Sequence, residues 1–243
     1  MAGVGKPKSA DMHPGPGFRI RYEIERPPPE VVAGFGAFEI PDISDLMNRL
    51  YTLRDGIRPM TDPDLRVIGT ACTVKVYPGD NLMVHKSLDV AHPADVIVVD
   101  AGGSPGAVLG ELVSLKARHR GINGFVVDGL IRDLPDVIEL DFPVFARGTT
   151  PIGPLHRGPG EINHPMCAGG IVVNPGDIVV GDLNGVIIVP REIASDLLQR
   201  LIDRKAAEAD YTAAVARGEF SNDWVDAILE RAGCVREEVS ESV

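Results

Sequence analysis

The sequence predicts a single α/β domain with a mixed central β-sheet flanked by helices, and three observations predict it. An apolar run, Asp95-Val-Ile-Val-Val-Asp100, is followed by the small-residue loop Ala101 to Gly106, a helical stretch from Ala107 to Arg120 and a second apolar run from Gly124. That is the order of a crossover unit, whose parallel strands are buried on both faces and so read as continuously apolar. Further on, the short β runs Gly170 to Asp177, Ile178 to Gly185 and Val186 to Pro190 are joined by the turn signals Asn174-Pro-Gly-Asp177 and Asp182-Leu-Asn-Gly185. They read as an antiparallel meander, which makes the sheet mixed. Finally, 243 residues that are 44% hydrophobic but 5% aromatic, with 27 glycines and 20 prolines, fit one aliphatic core and many short elements joined by tight turns.

In chain order, residues 1–27 form a Gly/Pro-rich arm, with poor order expected for Met1 to Gly17 and an extended segment closing on Arg26-Pro-Pro-Pro29. The domain proper spans 28–220. Ile43 to Leu53 has helical spacing, with Ile43, Leu46, Met47, Leu50 and Leu53 on the packing face and Pro41-Asp42 or Ser44 as its start. Val67 to Val76 is rich in β-branched residues and reads as a strand that closes on Pro78-Gly-Asp80. A helix from Asn81 through Leu88 puts Asn81 and His85 on one face. Pro143 to Arg147 is a further strand, and Gly148 to His164 an irregular stretch whose length points to function or to packing against a neighbour. Arg191 to Arg217 is a long charged helix. Residues 221–243 hold a shorter amphipathic helix, Asn222 to Ala232, ending at Gly233, and the acidic tail Glu237 to Val243.

A net charge of -11 argues against nucleic acid, whose phosphates require a basic footprint. No apolar run approaches the roughly 20 residues of a membrane span, and the N-terminus lacks the order of a signal peptide, so a soluble, cytoplasmic protein is expected. Cys72, Cys167 and Cys234 contain no CxxC pair and suggest neither a disulfide framework nor a zinc knuckle. Cys72 and Cys167 are expected to be buried small hydrophobes.

The chemistry is expected where the run Gly124-Phe-Val-Val-Asp-Gly-Leu-Ile delivers Arg132 and Asp133 side by side. Open α/β sheets place their sites at the carboxyl ends of strands, and Glu111, at the start of the preceding helix, faces the same crevice. Structural roles fit the same residues. Asp133 could cap the next helix, Arg132 could pair with Asp128 or Asp136, Asn81 could be a helix cap, and His85 could be satisfied by backbone.

Gly79-Asp-Asn81 with His85, Ala107-x-x-Gly110-Glu111, Val127-Asp-Gly129 with Arg132-Asp133, Asn174-Pro-Gly-Asp177, and Asp182-x-Asn-Gly185 ahead of Val186 to Pro190 together resemble the RraA-like family, over about Ile40 to Glu219. The family contains the regulator of ribonuclease activity A and the class II pyruvate aldolases acting on 4-hydroxy-4-methyl-2-oxoglutarate and 4-carboxy-4-hydroxy-2-oxoadipate. The resemblance implies a swivelling-domain type of α/β fold, a homotrimer or dimer of trimers with the C-terminal helix in subunit contacts, and a small anionic oxo-acid substrate. It also implies a metal-dependent carbon-carbon lyase, with oxaloacetate decarboxylation as a side activity. In the aldolases an aspartate precedes Arg-Asp by twenty residues; here Glu111 holds that place, its carboxylate displaced by roughly 1.5 Å, the length of one carbon-carbon bond.

By resemblance, Asp133 is the direct ligand of Mg2+ (or Mn2+), while Glu111 acts through a metal-bound water or reaches the metal itself. Glu208 approaches the metal waters from a neighbouring subunit. Arg132 meets the keto oxygen, and Gly110 with the amides of Leu112 and Val113 meets the carboxylate, as first-turn amides favour an anion. Asn81 and His85 line the pocket, and His85, His156 or Arg157 could meet a distal carboxylate. Lys75, Lys86 and Lys116 are not adjacent to the Arg-Asp pair in sequence, so a Schiff base is not expected. The alternative function is a non-catalytic regulator that binds a ribonuclease. A menaquinone-pathway methyltransferase is disfavoured, because Gly102-Gly-Ser-Pro-Gly106 resembles a cofactor loop only superficially.

Overall fold

The computed structural model describes residues 13, 15–54 and 56–235. The expectations for the first twelve residues and for the acidic tail from Glu237 lie outside these. The chain divides into two compact units, one reaching Leu201 and the other starting at Ile202.

The first unit is built on β3 (Val67–Val76), β4 (Asp95–Asp100) and β6 (Gly124–Ile131), which lie side by side and parallel. Every residue of β4 from Asp95 to Val99 is buried, as a strand covered on both faces must be. β7 (Val144–Thr149) adds in parallel to β6, and β2 (Arg58–Pro59) closes that edge antiparallel. The ten residues of β3 give its other edge to two partners. β11 (Ile178–Asp182) pairs antiparallel with its first half and β8 (Gly160–Ile162) with its last three residues. β12 (Gly185–Val189) continues from β11, so the sheet is mixed.

One face of the sheet is covered by α3 (Leu82–Val90), α4 (Glu111–His119) and α5 (Leu134–Glu139), with Val84, Leu88, Val113, Ala117 and Val137 buried against Ile97, Val99 and Val127. A separate cluster joins Phe35, Ile43 and Met47 to Ile178 and Ile187, under α1 (Pro29–Gly34), α2 (Ile40–Leu46) and the start of α6 (Ala194–Ala216).

Several expectations need correction. The helix anticipated to Leu53 stops at Leu46, because Asn48 and Arg49 turn left-handed (φ 56° and 61°) and the Leu53 amide donates to Val186 O at 2.8 Å. Ala107 to Leu109 is not helix but a short strand, β5, parallel to β6. The meander is only a hairpin: β10 (Ile171–Val173) leaves β11 and pairs instead with β9 (Met166–Ala168) in a small second sheet. Within the expected arm, β1 (Phe18–Ile20) pairs with β8, and Arg26 grips Asp95. Cys72 is buried, where loss of hydration pushes its thiol far up, but Cys167 is exposed.

The second unit holds the outer part of α6 and α7 (Asp223–Arg231), which buries no residue. No helix among the described residues is long and apolar enough to cross a membrane.

Candidate active site

The parallel register aligns the carboxyl ends of β3, β4 and β6, with Lys75 opposite Asp100 and Asp100 opposite Asp128. A cleft of about 260 Å³ opens at this end of the sheet. Past Asp128, β6 runs on to Ile131 beside β5, and the Arg132 amide donates to Leu109 O at 3.0 Å. The strand end thereby lies against the start of α4.

Asp133 then takes left-handed backbone angles (φ 55°, ψ 37°), a conformation that costs a non-glycine residue about 1 kcal/mol. Its side chain makes no cap bond to α5, which removes the capping role. Nor does Arg132 pair with Asp128, whose carboxylate is held by Arg147 and by the Gly169 amide at 2.7 Å. Instead Arg132 Nε stands 3.3 Å from Asp133 Oδ2, with the two side chains 45% and 40% exposed.

Two glycines make room for this pair. A Cβ on Gly110 would lie 2.3 Å from Asp133 Oδ2, and one on Gly153 would lie 2.8 Å from Arg132 Nη1. The carboxylate is therefore seated directly on the backbone that opens α4. Ser114 N makes the first helical bond, to Gly110 O at 3.1 Å, so the amides preceding it in this turn have no acceptor within the helix and face the anion-favouring end of its dipole.

The opposite wall comes from α3 and the loop after β7. Buried Asn81 donates Nδ2 to Val108 O at 3.0 Å, and its Oδ1 lies 2.6 Å from His156 Nδ1. The His85 and His156 rings meet edge to face at 5.5 Å. Burial, then the neighbouring His156 and Lys116, push the His85 pKa down, which favours the neutral imidazole. The His156 loop is stitched to the turn before α3: Asp80 accepts from the amides of Leu82, Arg157 and Gly158, and Leu155 N donates to Gly79 O at 2.8 Å.

Of the residues expected in the site, Asn81, His85, Gly110, Leu112, Val113, Arg132 and Asp133 all line this cleft. Glu111 is half-buried beside Gly110 and is not among the lining residues, while Glu208 belongs to the second unit and pairs with Arg204 at 2.9 Å. Arg157 contributes its amide to Asp80 and does not line the cleft.

His156, one of the three candidates for a distal carboxylate, and Lys116 also line the cleft. His156 is brought in across 75 positions by Asn81, a pairing that no local pattern reveals. Lys116 lines the cleft despite its distance from Arg132 in sequence, and its spacing of three from Val113 on one helix face is the signal the sequence holds for it. Asp133 is the one carboxylate among the residues that line the cleft. Among the described residues no group of three His, Cys, Asp or Glu side chains converges into an all-protein cage.

The comparisons agree with this architecture. The family model for RraA-like proteins, described as Aldolase/RraA, matches residues 40–188. A relative from Halalkalibacterium halodurans named "Putative 4-hydroxy-4-methyl-2-oxoglutarate aldolase" is 43% identical over 68% of this chain and 78% of its own. The crystal structure of Streptomyces coelicolor RraAS2, titled an unusual member of the RNase ES inhibitor RraA protein family, superposes with a TM-score of 0.70 at 29% identity, covering 78% of this chain and 99% of that one. An uncharacterized protein from Pseudomonas syringae pv. tomato gives a TM-score of 0.72 at 27% identity, over 82% and 94%. A family match over more than half the chain, on a cleft assembled from the same motif residues, means that the chain belongs to the RraA-like family.

Proposed function

We propose that this protein is a divalent-metal-dependent pyruvate aldolase that cleaves 4-hydroxy-2-oxo diacids of the 4-hydroxy-4-methyl-2-oxoglutarate type and decarboxylates oxaloacetate as a side activity. One observation carries the reading: Asp133, uncapped and in strained backbone, presents its carboxylate over Gly110 beside Arg132 in a cleft at a helix N-terminus. The donor set suits Mg2+ or Mn2+, hard cations that take one or two carboxylates and keep several waters, and the reading assigns one of those waters to Glu111, the residue after Gly110. When bound, the cation would supply Lewis-acid stabilisation to the oxo group of the substrate.

The chain does the rest. The first-turn amides of α4 at Leu112 and Val113 bind the C1 carboxylate, and Arg132 places a fixed positive charge where the C2 oxygen gains negative charge as the carbon-carbon bond breaks. Gly110 and Gly153 keep that guanidinium and the carboxylate in their places. Asn81 and His85 form the facing wall.

Subunit assembly as a trimer or dimer of trimers belongs to the same reading. In the second unit Tyr211, Phe220, Trp224 and Ile228 are all more than half exposed, which suits helices that pack on another protomer and carry Glu208 towards its site. Light scattering should therefore give at least three protomers; a monomer at micromolar concentration would remove Glu208 from the site.

Purified protein with Mg2+ should release pyruvate from 4-hydroxy-4-methyl-2-oxoglutarate and from oxaloacetate, and a chelator should abolish both. Absence of turnover, together with tight binding to an RNA-degrading enzyme, would favour the regulator reading instead.

A further inference from the structure

The geometry points to His156 as the general base that takes the proton from the substrate's C4 hydroxyl, an inference that rests on the aldolase reading. Asn81 fixes which ring nitrogen is available. A backbone carbonyl can only accept, so the bond to Val108 O makes Nδ2 the donor and leaves Asn81 Oδ1 as an acceptor towards the imidazole. His156 Nδ1, 2.6 Å away, must therefore carry the hydrogen. In the neutral ring Nε2 then keeps its lone pair, as a base requires.

His156 is also at the right end of the cleft. Its loop passes over Arg132, since a Cβ on Gly153 would lie 2.8 Å from Nη1. Three residues further on, a backbone span of at most about 11 Å, the imidazole lines the same cleft. An oxo acid with its C2 oxygen at Arg132 presents C4 two carbons along. His85 meets the His156 ring edge-on at 5.5 Å, and burial, the largest influence on His85, favours the neutral form of the His85 imidazole. The loop is anchored through Asp80 to the start of α3, so the ring is positioned before substrate arrives.

The step balances. His156 Nε2 takes the C4 hydroxyl proton as the C3–C4 bond breaks; C4 leaves as an oxo group and the bonding pair enters the C2–C3 enolate. The imidazolium then returns the proton to C3, giving pyruvate. Oxaloacetate passes through the same enolate but loses carbon dioxide from C4 and has no hydroxyl to deprotonate.

The test is the ratio of the two activities in His156→Gln and His156→Ala, with Mg2+ present and melting temperature monitored. General-base removal should lower kcat for the retro-aldol cleavage by about 100-fold or more, while oxaloacetate decarboxylation stays within about threefold of wild type. Equal loss of both activities in a folded variant, or loss of neither, would overturn the assignment while leaving the aldolase reading in place. Wild-type protein that performs neither reaction would overturn both.

Discussion

Two arginine-aspartate pairs stand at opposite ends of the same sheet. At the amino end of β4, Arg26 donates to both oxygens of Asp95, at 3.2 and 2.9 Å, and Asp95 Oδ2 also accepts the His92 amide at 2.8 Å. Asp95 is 2% exposed, and its hydrogen-bonding capacity is largely used inside the protein. At the carboxyl end of β6, Arg132 and Asp133 meet through one contact of 3.3 Å, are nearly half exposed, and sit on a strained, uncapped backbone. A closed pair stabilises a structure; an open one keeps lone pairs and N–H groups for something else. The same residue types thus serve holding at one end of the sheet and binding at the other.

Opening the closed pair should have the largest effect. Arg26→Met leaves a buried carboxylate without its partner, and such losses cost about 3 to 5 kcal/mol. Urea denaturation should register that loss, while activity per folded molecule stays unchanged. If stability barely moves, the contrast between the two ends disappears.

At the open pair the loss should be kinetic. Arg132→Lys keeps the charge but not the planar fork, and about 2 to 4 kcal/mol of transition-state stabilisation should vanish from kcat, roughly 30- to 1000-fold. Its melting temperature and metal affinity should match wild type. Gly110→Ala lies between these cases, because the added Cβ meets both Asp133 Oδ2 at 2.3 Å and Arg132 Cγ at 3.0 Å. Overpacking of this kind costs about 1 to 3 kcal/mol. Pyruvate release should fall with it, since the carboxylate must move off its seat.

The contrast also explains what the sequence could disclose. Val67 to Val76 and Asp95 to Asp100 are strands with the bounds that their β-branched and apolar residues suggest, because burial on both faces marks most of their length. Ala107 to Leu109 reads as the start of a helix, since three apolar residues suit a helix equally well and only pairing with β6 decides. Asn48 and Arg49 ended α2 without a glycine or proline to announce it. In the site, Arg132 and Asp133 were legible from the logic of strand ends. His156 could be named only as one of three candidates with His85 and Arg157, because its place depends on Asp80 and Asn81 gripping a loop from far along the chain. Arg26 was hidden for the same reason: an arginine beside prolines gives no sign that its partner opens a strand 69 residues later.

Asp133→Asn should also have a small stability effect, and because it removes the carboxylate itself it tests the comparison most finely. Asparagine tolerates the left-handed backbone about as well as aspartate, and an ion pair this exposed contributes at most about 1 kcal/mol. Denaturation curves of variant and wild type should therefore nearly coincide when no metal is present. Adding Mg2+ or Mn2+ should raise the melting temperature of the wild type, since a ligand that binds only the folded state stabilises it by mass action, and should leave the variant where it was. Pyruvate release should be lost in the variant at every metal concentration. A destabilisation as large as that of Arg26→Met would make Asp133 a structural residue like Asp95, and an equal metal-induced shift in both proteins would place the cation elsewhere.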